Sequence, residues 1–179
     1  MNRKNNCLSV FDVQNIKGKN GMGKIKLKKV PLHLVYDAIE SANEVFDQYL
    51  DTKEMEVVSL PNMDSDIADV LDEDEELMEL IESDEDNRFL PLPSQYDLHE
   101  YSVMEDYIDE LEDKQLAQRL ARAIRGRGAF RRFKDILIDL GKIQSWYDYQ
   151  NQYYWNYARR WCMEHDLEFV DDQKENERN

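Results

Sequence analysis

An ordered alternation of apolar and polar residues begins only near Lys24. Before it, Gly18, Gly21 and Gly23 stand among lysines and asparagines and the apolar residues keep no period, so residues 1–24 read as a flexible basic tail. KIKLKKV (24–30) alternates like a short strand, and Pro31 suits the first turn of a helix. Leu34, Val35, Ala38, Ile39 and Ala42 then recur at helical spacing. VFDQYL and MEVVSL, either side of the polar DTKE, read as a β-hairpin that Pro61 ends.

Residues 64–83 carry Ile67, Val70, Leu71, Leu77, Met78 and Ile81 at i, i+3, i+4 intervals among carboxylates, the pattern of an acidic amphipathic helix. SDEDN (83–87) is a linker, and LPLP (90–93) is extended because each proline keeps its predecessor out of the α region. Asp97, with Glu100 three residues on, is placed to cap a helix striped by Tyr101, Met104, Ile108 and Leu111. Asp113 is placed to cap the next, whose inner face is Leu116, Leu120 and Ile124, flanked by Ala117 and Ala121. Gly126 supplies the left-handed stop, and Gly128 can begin a helix striped by Phe130, Phe133, Leu137 and Leu140 that Gly141 closes. From about 142 to 165 runs one long helix in which eight of nineteen residues of IQSWYDYQNQYYWNYARRW are aromatic. Ile143, Tyr147, Tyr154, Tyr157 or Ala158, and Trp161 trace one face; Trp146, Tyr149 and Tyr153 trace another. A helix apolar on two faces is central to a bundle or serves an interface too. LEFVDD (167–172) reads as a last strand.

The expected fold is therefore α+β and predominantly helical. A helix and small hairpin (25–63) precede an acidic helix and linker (64–88), then a helical bundle (89–172), all in a single domain 25–172, with a polar tail at 173–179. Phe130, Phe133, Trp146 and Trp161 are the expected core aromatics.

Charge adds a second pattern. The 179 residues hold 39 acids against 23 Lys and Arg, a net charge of −16. Residues 1–30 carry eight cations and one acid; residues 44–113 carry 26 acids and only Lys53 and Arg88; residues 114–134 carry eight cations and no acid. A chain so acidic disfavours non-specific binding to nucleic acid or anionic lipid. No apolar run reaches membrane-spanning length, the N-terminus lacks an apolar signal core, and Cys7 and Cys162 make no disulfide framework, so a cytoplasmic protein with no membrane contact is expected.

Chemistry-bearing motifs are sparse. Cys162 and His165 form a C-x-x-H pair, but Cys7, His33 and His99 show no zinc spacing, and GKNGMGK lacks the ending of a phosphate loop. His99, beside Glu100 and Tyr101, reads as an exposed first-turn histidine. No metal, cofactor or catalytic centre is nominated, and the expectation leans away from an enzyme.

The candidate site is the basic block around GRGAFRRFKD (126–135), with Arg119, Arg122, Arg125, Arg127, Arg131, Arg132 and Lys134. Three readings compete. The cations pair with the upstream carboxylates, within the chain or across a dimer. They bind nucleic acid through a helix-turn-helix outline. They hold a small anionic ligand where Gly128 opens a helix beside Arg127, Arg131 and Arg132. The leading expectation is a non-catalytic binding or regulatory protein with charge-complementary protein contacts, a partner or a homodimer. A nucleic-acid-binding module is the alternative, and an enzyme or binder of an anionic ligand the third.

GRGAFRRFKD, with LPSQYDLHEYSVMEDYIDEL before it and RRWCMEHDLEF after it, resembles an uncharacterised bacterial protein family marked by a Gly-x-Gly-Ala-Phe-Arg-x-Phe-Lys block. DAIESANEVFDQYLDTKEMEVVSLP resembles that family's helix and hairpin, although Lys53, Glu54 and Met55 stand where its turn often has a glycine. The resemblance covers roughly residues 25–170. It implies an α+β fold and a small cytoplasmic protein, and no activity.

Overall fold

The computed structural model describes residues 29–65 and 74–173. The basic tail 1–24, most of the strand expected at 24–30, the front of the acidic helix and residues 174–179 of the polar tail lie outside the described residues.

The fold is α+β and predominantly helical. Strand β1 (Val30–Pro31) runs parallel to β5 (Phe169–Val170), so the two ends of the described chain meet. Pro31, extended at φ −63°, precedes helix α1 (Leu32–Ser41). Its buried stripe is Leu32, Val35, Tyr36, Ala38 and Ile39; Leu34 and Ala42, expected on it, are only partly buried. The hairpin forms as β2 (Phe46–Asp51) and β3 (Glu56–Pro61).

Its turn explains the missing glycine. Met55 takes the left-handed conformation (φ 64°) and donates its amide to the Asp51 carbonyl at 2.8 Å. The Asp51 carboxylate accepts the amides of Lys53 and Glu54 at 2.9 and 3.2 Å. An aspartate turn thus holds a conformation that is cheapest for glycine, and the Met55 side chain packs on the core instead. Asp51 is only 1% exposed and is also gripped by Arg88, with Nη2 at 2.5 Å and Nε at 3.0 Å. That guanidinium chiefly, helped by the two amides, pulls the Asp51 carboxyl down to about 2.

Strand β4 (Phe89–Pro91) adds to the other side of β2, giving the order β3-β2-β4. The extended LPLP run thus joins the sheet rather than the bundle, on an edge where a proline lacking its N–H is tolerated. Helix α2 (Glu75–Glu82) is the described part of the acidic helix. Asp74 caps it by accepting the Leu77 amide at 2.9 Å, and no residue of it is fully buried.

Helix α3 (Glu100–Glu110) begins after His99, which is left-handed (φ 45°) and makes no side-chain cap. Asp97, expected from the sequence to cap it, does not; its carboxylate instead accepts from the Ser94 amide and hydroxyl at 2.9 and 2.7 Å. The buried stripe is Val103, Met104, Tyr107 and Ile108, while Tyr101 is exposed. Helices α4 (Lys114–Ala123), α5 (Ala129–Asp139) and α6 (Ile143–Glu164) complete the bundle. Asp113 caps α4 through the Gln115 and Leu116 amides, both at 3.0 Å.

Two apolar clusters share α6. Around its start, Trp146 packs edge-on to Phe133 and Tyr107, centroids 4.8 and 5.3 Å apart, among Leu116, Leu120, Ile124 and Leu137. Around its second half, Trp155 stacks on Tyr36 of α1 at 4.3 Å, beside Tyr154, Ala158, Trp161 and Cys162. Tyr153 touches both clusters. Tyr147, expected inside, is exposed, and Trp155, absent from both expected faces, is buried. Phe133, Trp146 and Trp161 are buried; Phe130 and Leu140 are not, Phe130 packing half-buried against the core.

Candidate anion-binding surface

Helix α4 turns Leu116, Leu120 and Ile124 inward. Spacing then leaves Gln115, Gln118, Arg119 and Arg122 on the opposite, exposed face. These four, with Ala123 and Arg132, line an open groove of about 550 Å³. No carboxylate lines it. Arg119 and Arg122 stand in no ion pair among the described residues. Gln115 and Arg119, and likewise Gln118 and Arg122, are four residues apart, about 6 Å along the helix axis.

The turn from α4 to α5 occupies residues 124–128, and Arg132 builds it. Arg132 Nε donates to the Ala123 carbonyl at 2.9 Å, Nη1 to Arg127 at 2.5 Å, and Nη2 to Arg125 at 2.8 Å and more weakly to Gly126 at 3.4 Å. One guanidinium therefore satisfies the carbonyl of Ala123, the last residue of α4, and carbonyls of the turn that follows it. Gly126 and Gly128 are both left-handed, at φ 75° and 76°. A Cβ on Gly128 would stand 3.2 Å from Arg132 Nη1. The paired glycines and Arg132 are one structural unit, so Arg132 edges the groove with most of its donors already spent.

The remaining candidates are dispersed. Arg122 lies in the groove. Arg125 lines a different cleft, of about 440 Å³, with Glu105, Asp106 and Asp109 of α3. Arg127 is exposed on the turn. Arg131, 89% exposed, reaches Asp135 one turn along α5 at 3.8 Å. Lys134 points to α6, its Nζ 4.4 Å from the Phe130 ring centroid and 5.6 Å from that of Tyr147. The expected convergence of Arg127, Arg131 and Arg132 on one anion is therefore not seen: Arg132 is engaged with carbonyls and Arg131 with Asp135.

Pairing of this block with the acidic half is not seen either. Among the described residues its one ion pair is Arg131–Asp135, and Asp135 lies outside 44–113. The cations that do pair with the acidic half lie within it, Arg88 with Asp51 and Lys53 with Glu54. The helix-turn-helix outline also shifts. The exposed face of α5 carries Asp135 and Asp139 beside Arg131, so the acid-free face belongs to α4. Sequence reading singled out cations and passed over Gln115 and Gln118; the outer-face spacing 115, 118, 119, 122 was the available signal.

Chemically the groove offers guanidinium and amide donors. Its lining contains no nucleophile and no general base. Among the described residues no three His, Cys, Asp or Glu side chains gather as a metal site. Cys162 is buried, its thiol pushed up to about 11 by desolvation, while His165 Nδ1 lies 2.9 Å from the Trp161 carbonyl oxygen. No helix among the described residues is long and apolar enough to cross a membrane.

The sequence profile of the uncharacterised protein family UPF0158 matches residues 28–178. The chain is also similar to UPF0158 protein PA5073 of Pseudomonas aeruginosa, with 31% identity over 98 residues, covering 53% of this chain and 62% of that relative. The chain thus spans less than two thirds of the relative's length. No solved structure matches it. With nearly its whole described length matched by the profile, the chain belongs to the UPF0158 family.

Proposed function

We propose that this member of the UPF0158 family is a non-catalytic, cytoplasmic binding protein that holds nucleic acid by phosphate contacts along the outer face of α4. The observation that carries the reading is the carboxylate-free groove of Gln115, Gln118, Arg119 and Arg122, whose two arginines have no ion-pair partner among the described residues. Guanidinium groups bind phosphate oxygens with charge-assisted hydrogen bonds, and side-chain amides add neutral ones.

From sequence alone, a protein partner or homodimer with charge-complementary contacts came first. The composition of the groove reverses that order. Protein interfaces concentrate aromatic and apolar side chains and lose charge at their centre, whereas nucleic-acid interfaces are polar and strongly positive. Ala123 is the sole apolar residue lining this groove. The net charge of −16 does not oppose contact here as it does elsewhere. It repels the polyanion from the acidic half and so favours approach at the basic blocks, of which this face is one. An enzymatic reading gains nothing from a lining that holds donors alone.

The test is fluorescence anisotropy with labelled DNA and RNA, single- and double-stranded, at about 50 and about 200 mM salt. Wild type should bind, and more weakly at the higher salt. Arg119→Ala/Arg122→Ala should bind at least about tenfold more weakly, with a salt slope shallower by about 1.4 to 1.8, while its circular dichroism and melting stay those of wild type. No binding at low salt would overturn the reading in favour of an acidic protein partner. Equal binding by the folded double variant would remove α4 from it.

A further inference from the structure

The exposed face of α5 carries a different pattern, one that the α4 groove does not use. Arg131, the half-buried Lys134 and Arg132, which is held by the turn carbonyls, lie in the N-terminal half of the helix, and Asp135 and Asp139 in the C-terminal half. This order runs against the helix macrodipole, which favours acids at the N-terminus and cations at the C-terminus; α5 has no acid in its first turn and no cation in its last. A local preference broken this way calls for a compensating contact elsewhere. Apolar surface stands beside the charges. Ile138 is 56% exposed on α5 and Tyr147 42% exposed on α6. Lys134, set against the rings of both Phe130 and Tyr147, links the two helices into one patch.

We propose that the protein forms a two-fold symmetric dimer through this face, with the two α5 helices antiparallel and Ile138 and Tyr147 at the contact. The charge order selects a second copy as the occupant. A two-fold axis across α5 lays the cationic half of one helix on the acidic half of the other. Arg131 then meets Asp139 of the partner subunit, and Lys134 approaches Asp135 of the partner subunit, which offsets the approach of the two Asp135 carboxylates at the axis. The helix dipoles oppose one another in the same arrangement. The Arg131–Asp135 contact within one chain competes little, because an ion pair this exposed is weak. A patch this small supports a weak dimer whose population rises with concentration. The contact uses none of Gln115, Gln118, Arg119 and Arg122, so the dimer is tested separately from nucleic-acid binding.

Sedimentation of the full chain without nucleic acid, across the micromolar range, tests it. Wild type should pass from monomer to dimer as concentration rises, and Ile138→Lys should stay monomeric. Arg131→Asp and Asp139→Arg should each weaken self-association by at least about tenfold, a loss of about 1.4 kcal/mol. Mixing these two variants should restore dimers, because each chain then supplies the charge the other lacks. The double variant Arg131→Asp/Asp139→Arg should also self-associate like wild type. All of these positions are exposed, and Arg131→Asp and Asp139→Arg correct the order of charges along α5, so the variants should fold. A chain that stays monomeric throughout overturns the proposal. So does a dimer indifferent to Ile138→Lys, which would place the contact elsewhere, or one lost in the single charge variants and not recovered on mixing.

Discussion

Arg132→Ala should destabilise the protein by about 2 kcal/mol although the residue is exposed. Three backbone carbonyls accept from its guanidinium at 2.9, 2.5 and 2.8 Å, and a fourth contact at 3.4 Å is marginal. Charge-assisted bonds in sheltered settings contribute about 1.5–3 kcal/mol each. Here water can reach the carbonyls, so about 0.5–1 kcal/mol each is the fitting scale, and three give about 2. Lys keeps the charge near the C-terminal end of α4 but offers a single ammonium in place of the planar fork, so Arg132→Lys should lose about 1 kcal/mol. For a chain of this size the alanine variant should melt about 4–8 °C lower, read by circular dichroism and checked by urea unfolding. Gly128→Ala adds a second reading, because it imposes left-handed strain of about 1–2 kcal/mol and sets a Cβ 3.2 Å from Arg132 Nη1. In an Arg132→Ala background the steric part should vanish and the strain should remain. If Arg132→Ala melts within about 0.5 kcal/mol of wild type, water serves those carbonyls equally well and the clasp is incidental.

Asp51 should make acid stability pH-dependent. Its folded pKa is depressed from 3.8 to about 2, so the stabilisation is complete above 3.8 and is lost as pH falls through about 2. Across that window wild type should lose about 2 kcal/mol more than Asp51→Asn, read by urea unfolding at stepped pH; parallel curves would contradict it. In a Cys7→Ser background the buried Cys162 thiol, raised to about 11, should resist Ellman's reagent until denaturant is added, and rapid native labelling would show that the α1–α6 core opens.

Much of the fold was legible where a local rule decides it. Asp113 caps α4 because a short acceptor at that position meets two free amides, whatever surrounds it. Gly126 closes the helix for an equally local reason. The hairpin registered because β-rich runs flank a polar connection. Other features depend on contacts between distant segments. The β1–β5 pairing joins opposite ends of the described chain, and Asp51 meets Arg88 across 37 residues. Trp155 is buried because α1 brings Tyr36 onto it, and periodicity within α6 does not reveal which side α1 approaches. The candidate site was half legible. The acid-free stretch 114–134 marked the right region. A list of cations, however, does not separate the arginine that clasps carbonyls from those that face outward, and it omits the two glutamines between them.

The central claim is that the outer face of α4 takes nucleic acid, and its most direct test is a ¹⁵N-correlation titration of the full chain with a short oligonucleotide. The predicted result is perturbation centred on Gln115, Gln118, Arg119 and Arg122, reversed by added salt. Perturbation confined to residues 1–28, with α4 unmoved, would assign binding to the basic N-terminal segment and contradict the claim.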